Sequence, residues 1–261
     1  MSAPRHLLAA WDEIHHRVRR ADRVALFTDF DGTLAAISRW PSRVRLAPRV
    51  RALLAAIAQR NVTLGVVSGR KLVDVQARVG LRGIWYVGAH GYFLREPGGK
   101  SATLLSSASI TQMTLVRRRL ARQLRGMPGI ILEHKEATAA VHYRNASPGI
   151  RELAFTAIRC LLAIHPNLHL LSGKKVWELL PDTRTNKWTA IRRILQTERQ
   201  RLSGRWVVFY LGDDATDERV FEKMKGISVA VGRSRRTSAR FFLRSPAEVK
   251  QFLGRFCEVV G

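Results

Sequence analysis

Short apolar runs of strand length alternate with stretches of helical periodicity through the first hundred residues of the chain. Val24-Ala25-Leu26-Phe27-Thr28 has the continuous apolar character of a strand buried on both faces. Pro48 to Gln59 follows, with Val50, Leu53, Leu54 and Ile57 on one helical face. Then come the run Val62-Thr63-Leu64-Gly65-Val66-Val67, a short helix, and Ile84-Trp85-Tyr86-Val87. Ahead of these, Leu7, Leu8, Trp11, Ile14 and Val18 fall at helical spacing, so Met1 to Arg20 reads as a helix with no apolar signal core. Alternating strand and helix imply a parallel sheet with helices on both faces.

The pattern changes after about Leu105. Ile110 to Leu124 is helical; Ile130-Ile131-Leu132-Glu133 and Ala139-Ala140-Val141-His142-Tyr143 read as a hairpin. Ile150 to Ile164 is a second helix, and Leu168 to Leu171 with Val176 to Leu180 a second hairpin. From Asp182 the alternating pattern returns: helix Asn186 to Arg201, strand Trp206 to Leu211, helix Thr216 to Met224, strand Ile227 to Val231, helix Pro246 to Phe256. The expected fold class is therefore α/β, a doubly wound, mostly parallel sheet with an inserted α+β cap domain. Its boundaries are a discontinuous Rossmann-like core at 1–107 and 182–261, and the cap at 108–181.

Composition narrows the picture. The chain has 261 residues, 46% of them apolar, enough for a sizeable core, and no apolar stretch reaches transmembrane length. Cys160 and Cys257 make no disulfide framework, which points to a reducing cytoplasm; Cys160, in an apolar helical stretch, reads as core. Lysine and arginine number 45 against 20 aspartates and glutamates, a net charge of +25. That balance invites a nucleic-acid reading. The basic residues are scattered over helix faces, however, and aromatic interleaving is absent, so a solvated cationic surface that attracts anionic substrates is expected.

The candidate chemistry sits where two strands end. The first strand runs into Asp29-Phe30-Asp31-Gly32-Thr33-Leu34, and Trp206 to Leu211 runs into Gly212-Asp213-Asp214-Ala215-Thr216-Asp217-Glu218. Ligands of open α/β sheets bind at the carboxyl ends of strands. Paired carboxylates there call for a cation, a proton or both, and a hard divalent ion such as Mg²⁺ prefers carboxylate oxygens. D-x-D-G-T alone also fits a plain polar turn. Ser68, ending the second strand, offers a hydroxyl to a phosphoryl oxygen or an N-cap to the next helix. Lys187, opening a helix, adds either to an anion-binding field or to the surface. Thr33 is a hydroxyl candidate or a turn stabiliser.

Asp29-Phe30-Asp31-Gly32-Thr33, Ser68-Gly69-Arg70, Lys187 and Gly212 to Asp217 resemble, in order, the four motifs of the haloacid-dehalogenase-superfamily phosphatases. Within that superfamily, Gly88-Ala89-His90-Gly91, Glu133-His134-Lys135, Val141-His142-Tyr143-Arg144 and Ser172 to Glu178 resemble the trehalose-6-phosphate phosphatase family. Gly212 to Phe221, Val231-Gly232 and Ser238-Ala239 add to the likeness, which covers nearly the whole chain. Trp188 and Arg219 depart from the family pattern without replacing a catalytic group.

The resemblance implies Asp29 as nucleophile and Asp31 as general acid and base, with Ser68 and Lys187 beside them. It implies Mg²⁺ on Asp29, the main-chain carbonyl of Asp31, and Asp213, with Thr33, Asp214 and Asp217 in support. Arg70, His90, Glu133, Lys135, Arg144 and Glu178 would contact the substrate, trehalose 6-phosphate. By spacing alone, Glu133 and Lys135 share one side of a strand, which equally fits a surface salt-bridge ladder. The implied enzyme is a monomer with a small-molecule substrate, no membrane or nucleic-acid partner, and a cap that closes on the core.

Overall fold

The computed structural model describes residues 3–38, 40–134, 137–173, 175–181, 184–232 and 237–261. In chain order they form β1 (Arg5–His6), α1 (Trp11–Arg19), β2 (Arg23–Asp29), α2 (Pro48–Ala58), β3 (Val62–Val67), α3 (Leu72–Val79), β4 (Trp85–Gly88), β5 (Phe93–Arg95), β6 (Ser101–Thr103), α4 (Ser107–Gln123), β7 (Ile131–His134), β8 (Ala139–His142), α5 (Pro148–Ile164), β9 (His169–Gly173), β10 (Val176–Leu180), α6 (Lys187–Arg201), β11 (Trp206–Gly212), α7 (Ala215–Lys223), β12 (Ile227–Val231), β13 (Phe241–Leu243) and α8 (Pro246–Val259). The chain divides into two compact units, 1–102 with 186–261, and 103–185.

The first unit is built on a nine-stranded sheet in the order β1-β13-β12-β11-β2-β3-β4-β5-β6. From β1 to β4 every neighbouring pair is parallel, and β5 returns antiparallel to β4. Interior strands of such a sheet are buried on both faces, which is why β2 reads as an unbroken apolar run. Leu26, Leu64, Phe209 and Leu211 belong to a core with Leu54 and Ile57 of α2, Val75 of α3, and Phe252 and Phe256 of α8. Alternation sends Tyr210 to the opposite face, where its ring lies 5.8 Å from Phe221 of α7.

The second unit is a four-stranded sheet, β7-β8-β10-β9, antiparallel throughout. Met113, Val116 and Leu120 of α4 and Ala154, Ile158 and Leu161 of α5 share one apolar cluster with Val141, Trp177 and Leu179 of the sheet. Tyr143 stacks on Trp177 at 4.0 Å between ring centres. Among the described residues, no helix is long and apolar enough to cross a membrane.

Two sequence expectations are corrected. The first helix begins at Trp11, because Arg5 and His6 pair in parallel with Phe241 and Phe242 at the sheet edge. Main-chain bonds from Arg5 to Arg240 and from Leu7 to Phe242 hold that segment extended, so Leu7 is buried by a strand and turn. Cys160 is exposed. The buried stripe of α5 runs through Ala154, Ile158 and Leu161, and Cys160, two residues from Ile158, falls on the outer side.

Phe252 contacts three aromatic rings in the first unit's core, Trp11, Phe209 and Phe256. Phe252→Ala is expected to cost about 3–5 kcal/mol. Leu153→Ala, at an exposed position of α5, should cost under about 0.5 kcal/mol. Urea unfolding of both variants checks the contrast.

Candidate active site

The strand order reverses between β2 and β11. From β2 the chain builds outward through β3 and β4, and from β11 through β12 and β13 on the other side. The two strands are adjacent and parallel, with Leu211 opposite Thr28, so their carboxyl ends lie side by side. Asp29 is the last residue of β2, and Asp213 follows Gly212, the last of β11. A crevice at such a switch point is where this architecture binds ligands.

Glycine at position 32 is dictated by this closeness. Its φ is +80°, and a Cβ there would lie 1.9 Å from an Asp213 carboxylate oxygen. Gly32 N–H donates to the Ala35 carbonyl at 2.7 Å, closing the turn. Thr33 is fully buried, and its hydroxyl points at Asp213 Oδ1 from 3.5 Å.

Two helix starts deliver the remaining groups. Asn186 and Thr189 form a capping box that opens α6, which places Lys187 in its first turn. Asp214 and Asp217 form another at α7. Lys187 is 2% exposed; its Nζ donates to Asp29 Oδ1 at 2.8 Å and to Asp217 Oδ1 at 2.7 Å. Asp214 Oδ1 stands 3.8 Å from the same ammonium and accepts from the Thr216 N–H and hydroxyl at 2.8 and 2.6 Å.

Carboxylate oxygens of Asp29, Asp213 and Asp217 lie within 4.8 Å of one another. They differ in occupancy. Asp217 Oδ1 takes Lys187 and the Tyr210 hydroxyl at 2.5 Å, while Oδ2 takes the N–H groups of Asp213 and Asp214 at 2.9 and 3.1 Å. Four donors fill the four lone-pair positions of a carboxylate. Asp217 is thereby an anchor for Lys187, which leaves Asp29 and Asp213 as the better cation ligands.

The local charge is lopsided. Burial, then Asp214 and Asp217, push Asp213 up to about 7. Asp29 is raised well above the usual carboxylate range by burial, which Lys187 only partly counters while Asp217 adds to it. Burial opposes the charge on Lys187, yet Asp217 and Asp29 more than offset it and raise its pKa. Burial would raise Asp214 too, but Lys187 and the two Thr216 donors lower it. One ammonium among four carboxylates, of which Asp29 and Asp217 are buried, Asp213 half-buried and Asp214 exposed, leaves a deficit of positive charge, and such hard oxygen donors fit a divalent cation.

Asp31 pairs with a different cation. Arg70 grips it through two bonds of 2.6 Å, and also reaches Asp74 at 3.0 Å. Asp74 in turn accepts from Arg78. Ser68 is buried and its hydroxyl accepts the Arg70 N–H at 3.1 Å; α3 starts four residues on, so Ser68 shapes the turn and is not that helix's N-cap. His90 has a φ of +59° and its ring packs against Gly69, where a Cβ would lie 2.5 Å from Cε1.

In the second unit, Glu133, Ala140 and Glu178 are in register across β7, β8 and β10. The neighbouring row, Leu132, Val141 and Trp177, packs with α4 and α5, so the two glutamates share the other face. Glu178 is buried and accepts the Thr138 hydroxyl at 2.7 Å; Glu133 Oε2 accepts from His142 Nε2 at 3.0 Å. Arg144 lies two residues beyond the end of β8. Lys135 lies outside the described residues.

Sequence reasoning missed Tyr210, Asp74 and Arg78. A polar tip inside a buried strand, Tyr210 in Trp206 to Leu211, was the available signal, since buried tyrosine hydroxyls find partners. Asp74 and Arg78 are four apart on α3, an ordinary surface-pair spacing that carries no functional signal.

Residues 27–247 match the family model described as trehalose-phosphatase. The trehalose-phosphate phosphatase of Mycobacterium tuberculosis (strain H37Rv) is 38% identical over 243 residues, covering 90% of this chain and 61% of that protein. That of Mycobacterium avium (strain 104) is 36% identical over 245 residues, covering 90% and 62%. The chain thus spans about three-fifths of the length of these curated relatives. The C-terminal domain of Candida albicans trehalose-6-phosphate phosphatase superposes with a TM-score of 0.80 at 21% identity over 98% of both chains. An Aspergillus fumigatus trehalose-6-phosphate phosphatase gives 0.70 at 24% identity over 98% of this chain and 99% of that one. These two structures establish the likeness of fold.

The charge imbalance has a measurable consequence in metal-free protein. Lys187→Met strands Asp29 and Asp217 without a buried counter-charge and is expected to cost about 3–5 kcal/mol. Asp29→Asn removes one acid of the excess and leaves Lys187 on Asp217, so its melting temperature should equal or exceed wild type. A strong loss in Asp29→Asn, read by thermal unfolding in chelator, would contradict the imbalance.

Proposed function

The chain belongs to the trehalose-phosphatase family, and from that membership we propose that it is a Mg²⁺-dependent phosphatase hydrolysing trehalose 6-phosphate to trehalose and phosphate. The observation that carries the reading is the meeting of Asp29, Asp213 and Lys187 at the carboxyl ends of β2 and β11.

Asp29 attacks phosphorus, forming an aspartyl-phosphate as the bond to the sugar oxygen breaks. Asp31 gives its proton to that leaving oxygen, then takes one from the water that hydrolyses the intermediate. Arg70 holds both Asp31 oxygens and favours the carboxylate that takes the water's proton; for the acid step one oxygen leaves Arg70 to carry the proton it gives. Lys187 holds Asp29 in line and sets a positive charge beside the transferring group. Repulsion between the nucleophilic carboxylate and a phosphate charge is about 4 kcal/mol per pair at 4 Å and an effective dielectric of 20. Held by Asp29, the main-chain carbonyl of Asp31, and Asp213, Mg²⁺ would supply further positive charge against the phosphate oxygens. Ser68 offers its hydroxyl to a phosphoryl oxygen, and Thr33 and Asp214 support the ligands.

Selectivity for the disaccharide falls to Glu133, Lys135, Arg144 and Glu178, with Arg70 and His90 nearer the phosphate. The placement of Glu133 and Glu178 on the sheet face away from α4 and α5 supports this assignment. The exposed thiol of Cys160 and the unpaired Cys257 support a reducing cytoplasm, and the enzyme is taken to act as a monomer.

A panel of sugar phosphates, with Mg²⁺ and with chelator, tests the reading. Phosphate release should be fastest from trehalose 6-phosphate, fall to background in chelator, and vanish in Asp29→Asn while substrate binding persists. Preference for sucrose phosphate or a glycosyl-glycerate phosphate would move the substrate while keeping the chemistry. Arg144→Ala and Glu133→Ala should each lower kcat/KM for trehalose 6-phosphate by about 10–100-fold, the worth of one lost hydrogen bond to a charged group. An aryl phosphate should lose less than about twofold in the same variants. Equal losses on both substrates would make these residues structural.

A further inference from the structure

We propose that Tyr210 is a positioning residue for phosphoryl transfer, setting how the Lys187 ammonium is shared between Asp217 and the nucleophile Asp29. The proposal rests on the phosphatase reading of the site above and adds to it a residue that never touches substrate.

Tyr210 stands on β11, where its neighbours in sequence are Phe209 and Leu211. It is fully buried, and so is Asp217. A phenylalanine would pack against Phe221 equally well, so the hydroxyl needs its own explanation. That hydroxyl donates to Asp217 Oδ1 at 2.5 Å, the same oxygen that accepts Lys187 Nζ at 2.7 Å. Lys187 Nζ also donates to Asp29 Oδ1 at 2.8 Å. The groups form one chain: tyrosine hydroxyl, carboxylate, ammonium, nucleophile.

The other half of Asp217 is pinned. Its Oδ2 takes two backbone N–H groups, and Gly212 leaves room for the carboxylate to fold back on them, since a Cβ at 212 would lie 2.3 Å from Asp217 Cγ. Only the Oδ1 side is adjustable, and two donors share it. With the phenol in place, part of the Oδ1 charge is already met, so Asp217 does not monopolise the ammonium. Without it, Oδ1 draws Lys187 closer and away from Asp29. Lys187 would then stabilise less charge on the transferring group, a loss felt in the transition state more than in substrate binding.

The test is Tyr210→Phe, which keeps the ring and its packing. Expected is a fall in kcat of about tenfold, with KM changed by less than about twofold, as for one hydrogen bond to a charged acceptor. In an Asp217→Asn background the same change should have almost no further effect, because the group through which it acts is already altered. A merely structural role would lower the two variants' rates independently, so multiplying losses, or an unchanged kcat in Tyr210→Phe, would overturn the proposal. A second readout is independent of turnover: melting temperatures of metal-free Tyr210→Phe, Lys187→Met and the double variant. The double variant should lose more than the sum of the singles, because each donor covers part of the other's loss at Asp217 Oδ1, and additive losses would overturn the proposal. If wild type releases phosphate from no sugar phosphate, the functional reading falls, and the melting-temperature cycle still decides whether Tyr210 acts through Lys187.

Discussion

The buried ammonium of Lys187 is the group on which the rest of this centre depends. It touches the acid that ends β2 and the acid of the first turn of α7, at 2.8 and 2.7 Å, from a position almost without solvent. Like charges this close disfavour ionisation unless something opposes them. One lysine meets only part of the demand from Asp29, Asp213, Asp214 and Asp217, which is why burial and mutual repulsion raise Asp29 and Asp213. The sheet below these acids is packed on both faces, with Phe209 against Phe252 of α8 on one side and Tyr210 against Phe221 of α7 on the other.

The acids do different work according to which lone pairs are taken. Asp217 accepts four donors and serves as a bracket. Asp214 caps a helix. Asp31 is gripped by Arg70, itself tied to Asp74. Asp29 and Asp213 keep oxygens for other partners, and they end the two strands at the topological switch point. Placing two carboxylates side by side in this way needs no long loops: two adjacent parallel strands bring together residues 184 positions apart in the chain through main-chain pairing alone.

Much of this was legible along the chain. Unbroken apolar runs marked β2, β3 and β11, because strands buried on both faces have no polar side to show. The acids at their ends were visible as a site. Short edge elements were not. β1 and β13 have two and three residues, too few to carry a period; β13 exists because it pairs with β12, and β1 because it pairs with β13. Cys160 belonged to a helix rich in apolar residues on more than one face, so its exposure followed from where the sheet lay.

Sequence by itself determined the periodicities, the helix caps and the chemical types gathered at strand ends, since these depend on neighbours within a few positions. Tertiary structure decided which acid is saturated, which keeps open oxygens, and which residue grips Asp31. Hydrogen bonds between Tyr210, Lys187, Asp217 and Asp29 are settled by strand order and helix placement, and hydrogen bonds reach only about 3 Å. No pattern along a chain records distances that short between residues that far apart.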